Sequence, residues 1–367
     1  MGHTRQLLAA AILGAALLVQ LVLMLHVGNR AYGDVLKAVN FGHLVDAGAY
    51  EVGRDMVNSK TFVGPWLAYQ LFARWGLDGL RVANMAIFVL LGGLVLVFGR
   101  GRFDVGTRLL ALFVFAFYPG TLRSIVAGEL DDQLATLLLA TGVLVYLERG
   151  RVLTSALLLG TGFLFKFWVA IFGLGFLVFL VVTRRARAVP IALAGLGLPF
   201  AVVSLFDGGG SLHALRTSLG LSIHFSTWGK VVFKVFSTGL GPAALVAVAS
   251  WAEGERRDVD TLFLCLAASY VAYVFGARDA WAATTMMMTC LVFSSHLLAA
   301  WMLRRTRALA PSARRAVAIA FVTFYPTAAT TVAYVNLYRD TLPIRLFVTT
   351  DEITRTFHYN RPLVTVP

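Results

Sequence analysis

The chain has 367 residues, 58% of them apolar and only 14% charged, against roughly 25% charged in an ordinary soluble domain. With a mean hydropathy of +0.76, this excludes a soluble globular enzyme, a disordered chain and a disulfide scaffold, and its length suits roughly ten membrane crossings of about 20 residues each. The net charge of +13 would suggest nucleic acid as the partner of a soluble protein, but the basic residues lie in short runs between apolar stretches and read as topology signals, so no nucleic-acid partner is expected.

The first apolar run, Leu7–Val27, is too long for a signal-peptide core and no small-x-small cleavage site follows it, so it is expected to remain as a first span. Further runs lie near 81–99, 107–122, 133–147, 152–165, 168–183, 189–206, 239–252, 261–275, 281–303 and 316–337. The expectation is one integral membrane domain over 1–367, all-α and polytopic, with about eleven transmembrane helices. Cys265 and Cys290 fall inside such runs and read as small buried hydrophobes.

Arginine fixes the orientation. Arg5, then Arg100, Arg102 and Arg108, Arg149 and Arg151, Arg184, Arg185 and Arg187, Arg256 and Arg257, and finally Arg304, Arg305, Arg307, Arg314 and Arg315 crowd alternate short loops. That places the N-terminus and those loops in the cytoplasm and the tail 338–367 outside. The long polar segments 28–79, 119–132, 207–237 and 338–367 then face outward together with most of the acids, and the inner loops are too short to hold a site. The chain shows no internal repeat of the kind that marks inverted-repeat transporters.

The first outer loop, 28–79, is rich in structure. Val35, Val39, Leu44 and Val45 form a helical stripe after Asp34, with Gly48 at a plausible helix end. A second, aromatic stripe runs from Trp66 through Tyr69 and Phe72 to Trp75, and suits the membrane interface. Two interfacial helices joined by a turn near Gly64-Pro65 are predicted. Asp34 stands just past the first span, where partial desolvation raises a carboxylate's pKa and suits it as general base toward a sugar hydroxyl. The other reading of Asp34 is a helix N-cap, and the two roles are compatible.

The order of these features resembles the GT-C class of polytopic glycosyltransferases, in particular the mannosyltransferases that use polyprenyl-phosphate-mannose. The resemblance rests on Asp34 after the first helix, on Gly48-Ala49-Tyr50-Glu51 and on Pro65-Trp66-Leu67-Ala68-Tyr69. It continues through Phe117-Tyr118-Pro119, Arg123 and Gly128-Glu129-Leu130-Asp131-Asp132-Gln133 to Gly160-x-Gly162-x-Leu164-x-Lys166. It covers residues 7–185. The first loop departs from the pattern in carrying one Asp at the helix start, and Phe62-Val63-Gly64-Pro65 replaces a Tyr-x-Pro-Pro run. The resemblance implies a sugar (mannose or a related hexose or pentose) carried on a polyprenyl phosphate, inverting transfer to a lipid- or glycan-linked acceptor, and a cavity facing outside a bacterial plasma membrane.

On that reading Asp34 is the catalytic base. Lys166, among Phe163, Phe165, Phe167 and Trp168, either snorkels or meets the donor phosphate; Arg123 either pairs with Glu129 or Asp131 or clamps that phosphate. Arg278 joins them as a phosphate candidate, although it adjoins Asp279. Glu129, Asp131, Asp132, His224 and Trp228 are the candidates for acceptor or sugar. The three acids also suit a helix N-terminus or, less well, a divalent cation; no cofactor or metal is expected. His296 reads as a hydrogen-bonded packing residue. No nucleotide-binding motif occurs in the sequence, which argues against a cytosolic nucleotide-sugar enzyme. The competing class is a multi-pass transporter or flippase, which would need polar residues at mid-membrane.

Overall fold

A computed structural model describes residues 3–46, 61–98, 100–219, 258–276 and 280–343. The described residues form thirteen α-helices and one two-stranded ribbon. In chain order these are α1 (His3–Val27), β1 (Arg30–Tyr32), α2 (Gly33–Asp46), α3 (Val63–Val97), α4 (Val105–Ala116), α5 (Pro119–Ala127), α6 (Leu130–Arg149) and α7 (Val152–Phe165). Then follow α8 (Val169–Val182), α9 (Val189–Phe206), α10 (Gly210–Leu219), α11 (Asp258–Gly276), α12 (Ala280–Arg307), α13 (Pro311–Asp340) and β2 (Thr341–Pro343).

Among the described residues five helices are long and apolar enough to cross a membrane, namely α1, α3, α6, α9 and α13. The pair α4 and α5 makes a sixth if its 51° bend is one broken span. The shorter apolar helices α7 and α8 complete the pattern. The expected span 239–252 lies outside the described residues.

Two helices differ from the sequence prediction for a visible reason. The aromatic stripe from Trp66 and the span from Arg81 belong to one element, α3, broken only at Gly76, whose φ of 65° most other residues avoid. The predicted turn at Gly64-Pro65 is instead the first turn of that helix. The expected span 107–122 breaks after Ala116, and Pro119 restarts the chain as the first residue of α5, where its missing N–H costs nothing.

Small residues set the closest helix contacts, as expected where lipid gives no hydrophobic drive to association. A methyl group at Gly160 of α7 would stand 2.5 Å from the Leu196 carbonyl of α9, and one at Gly195 would stand 2.7 Å from Ala156 Cβ. The core is aromatic: Phe88 stacks on Phe115, and Phe98 packs edge-on to Phe263 and Phe293. Fully buried His296 bonds the Val95 carbonyl through Nε2 at 2.7 Å, the packing role expected of it.

The helices run between two ends of the bundle. At one end α1 and α13 finish together, because β1 pairs antiparallel with β2, Ala31 opposite Leu342. His26 Nε2 and the Tyr334 hydroxyl are hydrogen-bonded at 2.9 Å just before that ribbon. At the other end lie the arginine-bearing turns. Arg185 bonds the Tyr146 hydroxyl and Asp258, joining α6, the turn after α8 and the start of α11.

Candidate active site

The site grows from the turn between α5 and α6. Gly128 takes a left-handed conformation, φ 86°, and closes α5 with two bonds: its own N–H to Ile125 O at 3.2 Å and Glu129 N–H to Ser124 O at 3.0 Å. This is the Schellman pairing that satisfies a helix's last carbonyls. The chain then re-enters a helix at Leu130, so Asp131 and Asp132 occupy the first turn of α6, where the helix dipole favours negative charge. Gln133 donates to Ser124 Oγ at 3.1 Å and braces the turn.

Both cations predicted in this half of the chain are paired here. Arg123 donates to Glu129 Oε1 at 2.8 Å, and both are buried. Lys166 Nζ lies 3.2 Å from Asp132 Oδ2, also buried. Of the two readings open for Arg123 from sequence, the ion pair with Glu129 is the arrangement seen. Lys166 neither snorkels to the surface nor stands alone. The Trp168 indole donates to the other oxygen of Asp132 at 3.2 Å, so one carboxylate receives both an ammonium and an N–H.

Lys166 follows α7 in extended backbone, φ −151° and ψ 122°. The end of α7 is tied to the start of α3: the Thr61 N–H and hydroxyl both donate to Leu164 O, at 3.1 and 2.7 Å. Gly64 then leaves room for Asp131, whose carboxyl carbon would stand 3.3 Å from a methyl group at that position.

Helix α2 closes the other side. It docks on the first half of α3 through His43 and Tyr69, whose polar atoms are 3.1 Å apart, and through Gln70 donating to Asp46 at 2.9 Å. Gly42 permits the approach, since a methyl group there would collide with Pro65 O. A narrow gap of about 10 Å³, room for about one water, is left between Val35 and Ala38 of α2, Ala68 of α3, the turn Gly128–Asp132, and Lys166; the described residues lining it include neither Asp34 nor Arg123. Asp34 precedes Val35 on the same helix. Because α2 begins at Gly33, Asp34 lies one residue inside it rather than at its cap.

Sequence reading missed the residue that holds this frame. Arg81, 3% exposed, donates through Nε to Val126 O at 2.9 Å and through a terminal nitrogen to Arg30 O at 3.0 Å, and also meets Asp78 at 3.3 Å. It therefore joins α3 to the end of α5 and to the strand that leads into α2. Its signal in the sequence was a lone arginine at the start of an apolar run, which reads equally well as a topology marker.

Of the remaining candidates, His224, Trp228 and Arg278 lie outside the described residues. No group of three or more metal-ligating side chains occurs among the described residues.

No protein-family model matches the chain, and no curated protein matches it. Among solved structures it is similar to the crystal structure of ArnT from Cupriavidus metallidurans bound to undecaprenyl phosphate. The TM-score is 0.60 at 14% identity, over 90% of this chain and 75% of that one. At that identity the likeness is one of fold. It fits the all-helical, GT-C-like architecture of an integral membrane protein.

Proposed function

We propose that the protein is a membrane glycosyltransferase that moves a sugar, with inversion, from a polyprenyl-phosphate donor to a lipid- or glycan-linked acceptor at the non-cytoplasmic face of a bacterial plasma membrane. The observation that carries the reading is a juxtaposition: Val35 and Ala38 of α2, the helix bearing Asp34, lie across a narrow gap from Lys166 and the acidic turn. The fold likeness to ArnT, whose structure holds undecaprenyl phosphate, supports a lipid phosphate as the donor's carrier.

The chemistry needs one base and one cationic clamp. The acceptor hydroxyl attacks the anomeric carbon, and its proton passes to the Asp34 carboxylate as the new C–O bond forms. The bond from that carbon to the phosphate oxygen breaks on the opposite face, and its electron pair leaves with polyprenyl phosphate, a stable anion that needs no acid. Lys166 and Arg123 receive that charge. Asp132 and Glu129 hold them in place within an apolar wall. Glu129, Asp131 and Asp132, with His224 and Trp228, are assigned to acceptor and sugar hydroxyls, and Arg278 to the phosphate. Mannose or a related hexose or pentose is the proposed sugar.

The test is release of polyprenyl phosphate. Purified protein is incubated with polyprenyl-phosphomannose and a panel of other polyprenyl-phosphate sugars together with membrane glycolipids. Turnover with one donor is the expected result. Absence of release with every donor, from protein that moves the intact lipid between leaflets of a vesicle, replaces this reading with a flippase.

A further inference from the structure

At the opposite end of the bundle from the acidic turn, a cleft of about 310 Å³ opens between the α3–α4 turn, the start of α4 and the last turns of α12. It is within the size range of small-ligand sites. Its walls are of two kinds. Phe103, Leu297, Ala300 and Leu303 line the apolar part, and Arg102, Arg304 and Arg307 stand at the polar part beside Asp104 and Thr107. We propose that this cleft binds the head group of an anionic phospholipid drawn from the surrounding leaflet.

Three observations select that occupant. The first is charge. Three arginines face one aspartate in the lining, and the acid behind them, Asp260, pairs with Arg102 at 2.9 Å. Arg100 and Arg108 bring further positive charge to the same turn. The second is exchangeability. Arg307 and Asp104 meet at 3.3 Å with both side chains more than half exposed, so a phosphate competes for the guanidinium fork at little cost. The third is depth. Leu297, Ala300 and Leu303 form an apolar wall that leads along α12 to Arg304 and Arg307, and Trp301, exposed on the same stretch, is of a residue type enriched at membrane interfaces. An inorganic anion has no use for that wall, and a zwitterionic lipid brings an ammonium among arginines. Basic pockets between helices on the inner side of a membrane are suited to such head groups.

The experiment uses the whole protein in detergent, with phosphatidylglycerol, phosphatidylcholine and inorganic phosphate as probes. Native mass spectrometry counts bound lipid, and thermal unfolding reads the shift each probe gives relative to the same protein without it. Phosphatidylglycerol is expected to bind and raise Tm. In the Arg304→Gln/Arg307→Gln variant its affinity is expected to fall about 10-fold or more, the loss for charge-assisted hydrogen bonds. The Arg149→Gln/Arg151→Gln variant removes the same charge from another turn at the same end and is expected to respond as the parent does. Equal binding of phosphatidylcholine, an equal shift with inorganic phosphate, an undiminished response in the first variant or an equal loss in the second would each overturn the proposal.

Discussion

The two ends of the bundle treat charge in opposite ways. At the acidic end, Arg123–Glu129 and Lys166–Asp132 are buried, with exposures of 7% and 2% in the first pair and 7% and 4% in the second. At the arginine end, Arg185–Asp258 and Arg307–Asp104 are about half exposed or more; each end has an exception, Arg102–Asp260 with its buried acid at this one and Arg81–Asp78 with its acid 83% exposed at the other. Exposed pairs add roughly 0–1 kcal/mol net of the side-chain entropy lost in holding them. Buried pairs carry a desolvation penalty that a well-packed apolar pair would avoid. Two such pairs side by side, next to the helix that bears Asp34, are therefore poorly explained by stability and well explained by a task that needs fixed charge in an apolar wall.

The largest expected effect tests that task. Asp34→Asn keeps the volume of the side chain and leaves α2 its packing on α3. Turnover in the donor-release assay is expected to fall by about 10²–10⁴, the usual contribution of a general base, with Tm little changed. Near-normal turnover in a folded Asp34→Asn protein would move the role to Glu129, Asp131 or Asp132.

The next effect bears on the buried pairs themselves. Asp132→Leu takes the Asp132 carboxylate away from the Lys166 ammonium and is expected to destabilise the protein by up to about 3–5 kcal/mol. Adding Lys166→Met removes the ammonium and is expected to restore most of that loss while turnover stays low. Stability recovered together with activity would make the pair structural. At the arginine end the parallel change, Asp258→Asn, is expected to cost less than about 1 kcal/mol, because its partner Arg185 keeps both solvent and the Tyr146 hydroxyl.

Much of this contrast is visible in the sequence. The arginine end is legible because positive charge in short loops follows a simple rule, and α1, α6 and α9 match runs identified from hydropathy alone. Asp34, Arg123, Lys166 and the acids after Gly128 were chosen for their position at the ends of apolar runs, and the last two groups do meet around one narrow gap. The pairings were not legible. Lys166 is 34 residues from Asp132 in sequence yet 3.2 Å away in space, a contact made by α6 and α7 packing against each other. Nor was the β1–β2 ribbon, whose strands of three residues lie at opposite ends of the chain and carry no alternation long enough to read. Arg81 went unrecognised because the two partners that tie it to other elements are backbone carbonyls, which leave no trace in a sequence, and Asp78 three residues before it reads as a local pair.

A steric change sharpens the same comparison from the backbone side. Gly42→Ala sets a methyl group against Pro65 O and Tyr69 Cβ, neither of which is a flexible chain end, so α2 must shift on α3. The expected cost is about 1–3 kcal/mol, as for overpacking elsewhere. Because α2 carries Asp34, turnover is expected to fall further than the stability loss alone explains. At the arginine end Gly93, on the same helix α3, has open space around it, and Gly93→Ala is expected to be neutral or mildly stabilising as a helix substitution.

The smallest effect is a titration, and its sign separates the two ends. Asp104 caps α4 by accepting the Thr107 N–H at 2.7 Å, and that backbone bond, more than Arg307, holds its carboxyl below the usual carboxylate value. A depressed pKa means that the group stabilises the folded chain above the unfolded value of about 3.9, and that this contribution fades as pH falls through the folded one. Asp104→Asn can still cap the helix, since asparagine is as good a cap, but it cannot titrate. Parent and variant are therefore expected to differ slightly in Tm at pH 7 and to converge as the pH drops progressively below about 4. The exposure of Asp104 keeps the difference small and makes it shrink with added salt. A gap that persists unchanged into acid would trace the effect to the shape of the cap instead of its charge. A gap insensitive to salt would mean that the Asp104 charge is screened from solvent, as the charges at the other end are, and the contrast between the two ends would no longer hold at this position.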